Sequence, residues 1–444
     1  MQRIPPSVLR VALLAIAGTL ALRTADAAKT VELTFRITGE NGKPLPCRIH
    51  LTNAAGKPLR APRLPFFRDH FVCPGTATLN LAPGSYTYEI ERGPEYARKT
   101  GRLKVTKITG NAEVKLQLKR IDDLATQGWY GGDLHVHRPL KDIRLLMQAE
   151  DLYVAPVITW WNGRNAWNSR KPPGKTLVKF DGNRYYDVMA GEDEREGGAL
   201  MYFGLKTPLQ IAGSSREFPS PMKFVAAAKK RNPDVWIDVE KPFWWDVPVW
   251  LASGQVNSIG LANNHMCRSR MYESEAWGRP RDAKRLPPPR GNGHWTQEIY
   301  YHILNCGLRL PPSAGSASGV LPNPVGYNRV YVHTGKPFSY EKWWAGLKAG
   351  RSFVTNGPLL IGKANGRLPG SVFRRKSGEL KIALTCRIRS NDAVPKIEII
   401  KNGETVRSVP TKDVLRTGKL GTITFKSSGW FLIRAIADDA RTFR

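Results

Sequence analysis

The apolar residues of this chain change their period twice, and those changes constrain the fold more than any single motif. From residue 30 to about 119 they alternate. Val31-Glu32-Leu33-Thr34-Phe35-Arg36-Ile37, Ser85-Tyr86-Thr87-Tyr88-Glu89-Ile90 and Ala112-Glu113-Val114-Lys115-Leu116-Gln117-Leu118 each put every second side chain on one face, as a half-buried strand does. Turn formers punctuate them at Glu40-Asn41-Gly42-Lys43 and Pro83-Gly84. Short strands with such punctuation predict a small antiparallel β-sandwich over residues 28–119, of the carboxypeptidase-regulatory or immunoglobulin-like kind. His50 and His70, inside it, read as surface residues.

From about Ile121 strands interleave with helical stretches. Ile143, Leu146, Met147 and Leu152 fall at helical spacing, and Val154-Ala155-Pro156-Val157-Ile158 reads as a buried strand. Helices are predicted over 221–230 and 295–305, and a strand over 235–239. Such alternation predicts an α/β domain with a parallel sheet over 120–356. After Thr355-Asn356-Gly357-Pro358 the β pattern returns at 380–385, 396–400 and 430–435, giving a C-terminal β-rich domain over 357–444. The chain stops at Arg444 soon after a strand, so this last domain reads as truncated.

The first residues look like an address. Arg3 and Arg10 precede an apolar stretch over 11–22, too short to span a bilayer comfortably, and Ala25-Asp26-Ala27 forms an A-x-A site. A signal peptide over 1–27 and export to a periplasmic or extracellular space are expected. No transmembrane segment is expected in the mature chain. Lys and Arg number 68 against 37 Asp and Glu, a net charge of +31, which favours anionic partners. That charge is scattered and no nucleic-acid motif accompanies it, so specific nucleic-acid binding is not expected. The five cysteines include no C-x-x-C pair, which argues against a cysteine zinc site. Export permits disulfides, with Cys47–Cys73 a candidate; Cys267 and Cys306 either pair or stay as thiols.

The chemistry concentrates in Gly131-Gly132-Asp133-Leu134-His135-Val136-His137-Arg138. In an extended strand Asp133, His135 and His137 share one face, while Leu134 and Val136 anchor the other. Two imidazoles so placed can meet one divalent ion. Only eight histidines occur in the whole chain, so two within three residues form a concentrated signal.

Gly-Asp-Leu-His-Val-His is similar to the first metal motif of the PHP (polymerase and histidinol phosphatase) superfamily, and within it to the secreted carbaryl-hydrolase-like branch. The resemblance runs from about Trp129 to about Pro358. It implies a distorted, seven-stranded (β/α) barrel of PHP type, with His135 and His137 at strand C-terminal ends. Later motifs depart from the family. Its Thr-Asp-His segment falls on Thr159-Trp160-Trp161, so both ligand positions are tryptophan. Its glutamate is matched by Glu192, but the following histidine falls on Gly197-Gly198-Ala199. Its Asn-His-Pro becomes Glu240-Lys241-Pro242, and its Ser-Asp-x-His becomes Ser316-Ala317-Ser318-Gly319. His265, just after an apolar run, offers a replacement ligand.

The set that remains is mononuclear. His135, His137 and Glu192 would hold one Zn, Mn or Fe ion, with His265 or Glu240 completing the shell. Glu240 or Asp193 would accept the proton, and Asp133 would orient a ligand imidazole from behind. Trp160 and Trp161 would form a flat platform for a small-molecule or glycan substrate, anionic in keeping with the charge. The implied activity is an exported metal-dependent hydrolase of an ester, amide or phosphoester. The alternative is a catalytically degenerate relative that binds an acidic or glycan ligand without turnover.

Overall fold

The computed structural model describes residues 30–106 and 112–444; the signal-peptide expectation for 1–27 lies outside them. The first alternating stretches fold as two facing sheets. One holds Thr76–Leu81, Val31–Thr38 and Ala112–Gln117; the other runs Phe66–Phe67, His70–Cys73, Cys47–Asn53, Gly84–Glu91, Lys99–Val105. Phe35, Ile37, Ile49, Leu51, Phe71 and Ile90 fill the space between them. Cys47 and Cys73 sit opposite each other in that core with sulfurs 3.7 Å apart and unbonded. Cys267 is a buried thiol and Cys306 an exposed one.

Part of the outer face of the five-stranded sheet, around Arg48, His50, His70 and Val72, is buried, while Thr87, Arg102 and Lys104 of the same face stay exposed. Its Val72 packs into the core of the central domain, among Ile143, Leu146 and Met147. Arg48 reaches Glu150 of the central domain, and Arg92 reaches Asp151 at 3.1 Å. Buried pairs of this kind specify how two surfaces dock more than they add net stability.

The central domain corrects the expected (β/α) barrel. Its strands form a nearly closed β barrel, and the described residues are mostly β, 38% strand against 14% helix. The ring runs through Trp129–Gly132, Val154–Trp161, Arg184–Arg195, Gly198–Phe203, Trp236–Val239, Ser258–Ala262 and Pro312–Ala314. It closes where residues 134–137 continue past the first strand: Leu134 N donates to Ala314 O at 3.0 Å and His137 N to Ser318 O at 2.8 Å. Gly198–Phe203 runs antiparallel to both of its neighbours. Outside the ring, Arg329–His333 and Ser352–Thr355 extend the sheet.

The reason for the correction lies in the connections. The predicted helices exist, as Ile143–Ala149, Pro221–Arg231 and Gly291–Asn305, with Ser220 capping the second and Pro221 at its first turn. Val247–Ala252 adds a short helix between the parallel strands Trp236–Val239 and Ser258–Ala262, but a two-residue hairpin at 196–197 and the helix-free connection from Trp161 to Arg184 interrupt the series, so no continuous helical layer wraps the strands. Among the described residues no helix is long and apolar enough to cross a membrane. The last β region pairs two three-stranded sheets, Leu359–Ala364, Leu380–Arg389, Lys419–Phe425 and Glu404–Pro410, Lys396–Lys401, Phe431–Ala435, over a core of Ile382, Leu384, Ile397 and Ile399.

Trp160 shows how tightly the ring is built. Its indole lies over Gly191 of the next strand, where an added Cβ would come within 2.0 Å of the ring, and its Nε1 donates to Met189 O at 3.0 Å. Gly191→Ala is expected to destabilise the protein by about 1–3 kcal/mol through overpacking, read as a lower urea midpoint. An unchanged midpoint would mean that Trp160 can move aside.

Candidate metal centre

Residues 134–137 are the keystone of the ring, hydrogen-bonded on one side to Ala314 and Ser318 and on the other to Ile158. The pleat turns Leu134 and Val136 into the core and His135 and His137 to the opposite face. His135 Nε2 and His137 Nε2 lie 3.0 Å apart. Glu192, at the end of its strand, places Oε1 3.4 Å from His135 Nε2 and Oε2 3.2 Å from His137 Nε2. Donors about 2.1 Å from a tetrahedral ion lie about 3.4 Å from each other. These three side chains therefore have the donor chemistry and the mutual spacing of a divalent metal shell.

Glu240 takes a different place from the one expected of a free base. Its Oε1 lies 3.4 Å from His135 Nδ1, the ring nitrogen turned away from His137, so it orients that imidazole. Its carboxylate also takes the Asn264 amide and the buried Lys241 ammonium. Burial alone would raise the Glu240 carboxyl; Lys241 and His135 outweigh it and hold the group at about 2. Burial likewise disfavours a charged His135, but Glu192 and Glu240 prevail and push its pKa up to about 10. Glu192 is held well below the usual carboxylate range, against its burial, by the two imidazoles.

The group with a free carboxylate is Glu194, two residues beyond Glu192 and on the same strand face. It reaches solvent, yet its carboxylate lies within 4.8 Å of those of Glu192 and Glu240. Desolvation at the ring mouth, then repulsion from Glu192 and Glu240, raises it to about 7. Asp193, between them, points to the opposite face, where Arg195 holds it at 2.8 and 2.6 Å and Asn162 at 2.8 Å. That ion pair removes Asp193 from the proton acceptors. The same alternation separates the tryptophans. Trp160 is core, whereas Trp161 stands edge-on to the His137 ring at 5.1 Å.

His265 is close but does not join. It belongs to none of the metal-competent groups among the described residues, and its ring packs against Phe243 and Tyr272. Burial, then Lys241, lowers its pKa to about 3. Asp133 lies behind the site, accepting from His135 N at 3.0 Å and from the Ser316 hydroxyl. The sequence reading missed Glu194 and Lys241; the period-two spacing from Glu192 was the available signal for the first.

His50 and His70 are corrected as well. Both are buried, on the sandwich face that the barrel covers, with Asp69 between them. Burial foremost lowers His50 to about 4 and His70 to about 3, so both rings are neutral.

No protein-family model matches the chain, and no curated protein matches it. Among solved structures, the TIE protein of Bacillus anthracis is 18% identical over 26% of this chain and 20% of its own, with a TM-score of 0.17. The 3-chlorocatechol 1,2-dioxygenase of Rhodococcus opacus is 16% identical over 26% of this chain and 69% of its own, also at 0.17. A streptococcal ancillary pilin is 11% identical over 25% of this chain and 38% of its own, again at 0.17. Overlaps this partial carry no argument about the whole fold.

An ion entering between His135, His137 and Glu192 must displace the proton that His135 holds up to about pH 10. Zinc affinity is therefore expected to fall about tenfold for each unit the pH drops below that value, measurable by competition with a chelator from pH 6 to 8. A flat profile would exclude His135 as a ligand.

Proposed function

We propose that this chain is a metal-dependent hydrolase of an ester, amide or phosphoester, with one divalent ion held by His135, His137 and Glu192. The observation that carries this reading is the convergence of His135 Nε2, His137 Nε2 and both Glu192 oxygens within 3.0–3.4 Å at the end of a barrel strand. The resemblance of Gly-Asp-Leu-His-Val-His to the PHP metallohydrolases supports it further. An ion in that shell supplies a Lewis acid that activates water near neutral pH and polarises the bond to be cleaved.

The remaining work falls to the protein's own groups. Glu194 stands at the solvent edge with a carboxyl raised to about 7, suited to take a proton from the attacking water and return it to the leaving group. Glu240 keeps the His135 ring turned so that Nε2 faces His137. Lys241, clamped to Glu240 and 4.7 Å over the Trp244 ring, keeps that carboxylate charged in a buried setting. Trp161 walls the His137 side and narrows the access of water.

A second reading, glycan or acidic-ligand capture without turnover, draws on the aromatic surface beside Lys241. Trp277 stacks on Trp244 at 5.4 Å and stays 42% exposed, and Trp245 is 51% exposed. Such rings suit a sugar face.

The experiment is elemental analysis of the purified chain after incubation with Zn, Mn or Fe salts, followed by an ester, amide and phosphoester panel. Changing His135 and His137 together to alanine is expected to remove the ion those two histidines hold and to abolish turnover. Intact turnover in that variant would overturn the hydrolase reading, and bound metal with no turnover across the panel would favour the second one. Glu194→Gln is expected to lower kcat by about 10²- to 10⁴-fold at unchanged metal content. In the metal-loaded protein kcat should rise with pH as Glu194 loses its proton, at a pH lowered by the ion that offsets repulsion from Glu192, and that limb should vanish in Glu194→Gln.

A further inference from the structure

We infer that His50, Asp69 and His70 form a second divalent metal site, of zinc type, between the N-terminal sandwich and the barrel. The pleat of the five-stranded sheet places it. Cys47, Ile49 and Leu51 point into the sandwich core, so Arg48 and His50 point the other way; Phe71 and Cys73 point in, so His70 and Val72 point out. The two strands are antiparallel with Ile49 opposite Phe71, and the next pair in that register is His50 opposite His70. Two histidines thus face each other across neighbouring strands on a face that the barrel buries.

Asp69, one residue before the second strand, lies between them. Its Oδ1 is 2.9 Å from His70 Nδ1 and its Oδ2 is 3.2 Å from His50 Nδ1. The three donors lie within 4.8 Å of one another. These are spacings that ligands of one small cation adopt.

Hydrogen bonding by itself leaves this cluster incomplete. His70 has a well-placed acceptor in Asp69. His50 is 7% exposed, and among the described residues neither of its ring nitrogens has a well-aligned hydrogen bond: Nδ1 meets only Asp69 Oδ2 at 3.2 Å and Nε2 only Glu91 at 3.8 Å, although one of them must carry a proton when the ring is neutral. A cation bound to Nδ1 would give that nitrogen a partner. The proton would then sit on Nε2, on the side of the Glu91 carboxylate 3.8 Å away, and a carboxylate on that side of a ligand imidazole is the usual support of a metal-bound histidine once the ring turns to within hydrogen-bond reach.

The neighbouring arginines do not close the position to a cation. Arg48 is held by Glu91 and Glu150, and Arg268 by Glu89 and Glu91, with Asp69 a more distant partner of Arg268 at 3.6 Å. The Asp69 side chain is 39% exposed, which leaves a route from solvent and room for a water as fourth ligand. Two imidazoles and one carboxylate favour zinc over calcium or magnesium.

The test counts zinc in the full chain after loading and gel filtration. The unsubstituted protein is expected to hold one more ion than the variant carrying both His50→Gln and His70→Gln. With His135 and His137 both changed to alanine, one ion should remain, and adding His70→Gln should remove it. Asp69→Asn, at a partly exposed side chain, repeats the test with the least risk to folding, which near-ultraviolet circular dichroism checks. Equal zinc content with and without the His50, His70 and Asp69 changes overturns the inference. Failure of the first site reads out separately, as zinc content insensitive to the His135 and His137 changes.

Discussion

A single carboxylate without solvent exposure holds the ring closed. Asp133 accepts from the backbone N–H groups of His135 at 3.0 Å, Ser316 at 3.0 Å and Gly326 at 2.6 Å, and from the Ser316 hydroxyl. Burial pushes its pKa up, and these four donors work against that rise. Hydrogen bonds to a buried charge contribute about 1.5–3 kcal/mol each, and losing the acceptor would strand three amides without water. Two asparagines extend the clasp. Asn323 donates to Asn264 O and Ser316 O, and Asn328 to Asn263 O and Gly315 O. The loops after two ring strands are thereby pinned to the strand that carries the histidines.

Closure explains why the candidate site is buried yet rich in charge. His135, Glu192, Glu240 and Lys241 would each be costly to bury alone, and they are affordable as a chain of alternating sign. The His135 proton occupies the role a cation would take, balancing Glu192 on one side and Glu240 on the other. Glu194 has no salt-bridge partner among the described residues, and burial with repulsion from Glu192 and Glu240 raises it to about 7. Its difference from Glu192 is a matter of depth, since both side chains leave the same face of one strand.

The sandwich and the barrel are coupled by the same kind of network. Arg48, Glu89 and Glu91, on the outer face of the five-stranded sheet, and Arg92, just past the end of the Gly84–Glu91 strand, meet Glu150, Asp151 and Arg268 of the barrel. Arg120 joins in, bridging Glu95 and Asp151 at 3.0 and 2.7 Å. A sheet face that carries two histidines, an arginine and two glutamates looks solvent-exposed when read alone. Its burial depends on a partner surface some hundred residues away in the chain.

What the sequence by itself determined is the set of side chains that share a face. Strand pleating follows from backbone geometry over two residues, so the pairing of His135 with His137 and the inward turn of Phe35 and Ile37 were legible in the alternation. Helix positions were legible for the same reason, as at Ile143, Leu146 and Met147. Only the tertiary structure decided that the connections leave a β barrel without a helical coat, because that depends on how loops such as 263–290 and 315–328 pack. It alone decided that Glu240 supports His135, that Asp193 belongs to Arg195, that His265 stays among aromatics, and that His50 and His70 lie under the barrel. Each of those is a contact between segments far apart in sequence. Ring closure and domain docking select such contacts, and no local period encodes them.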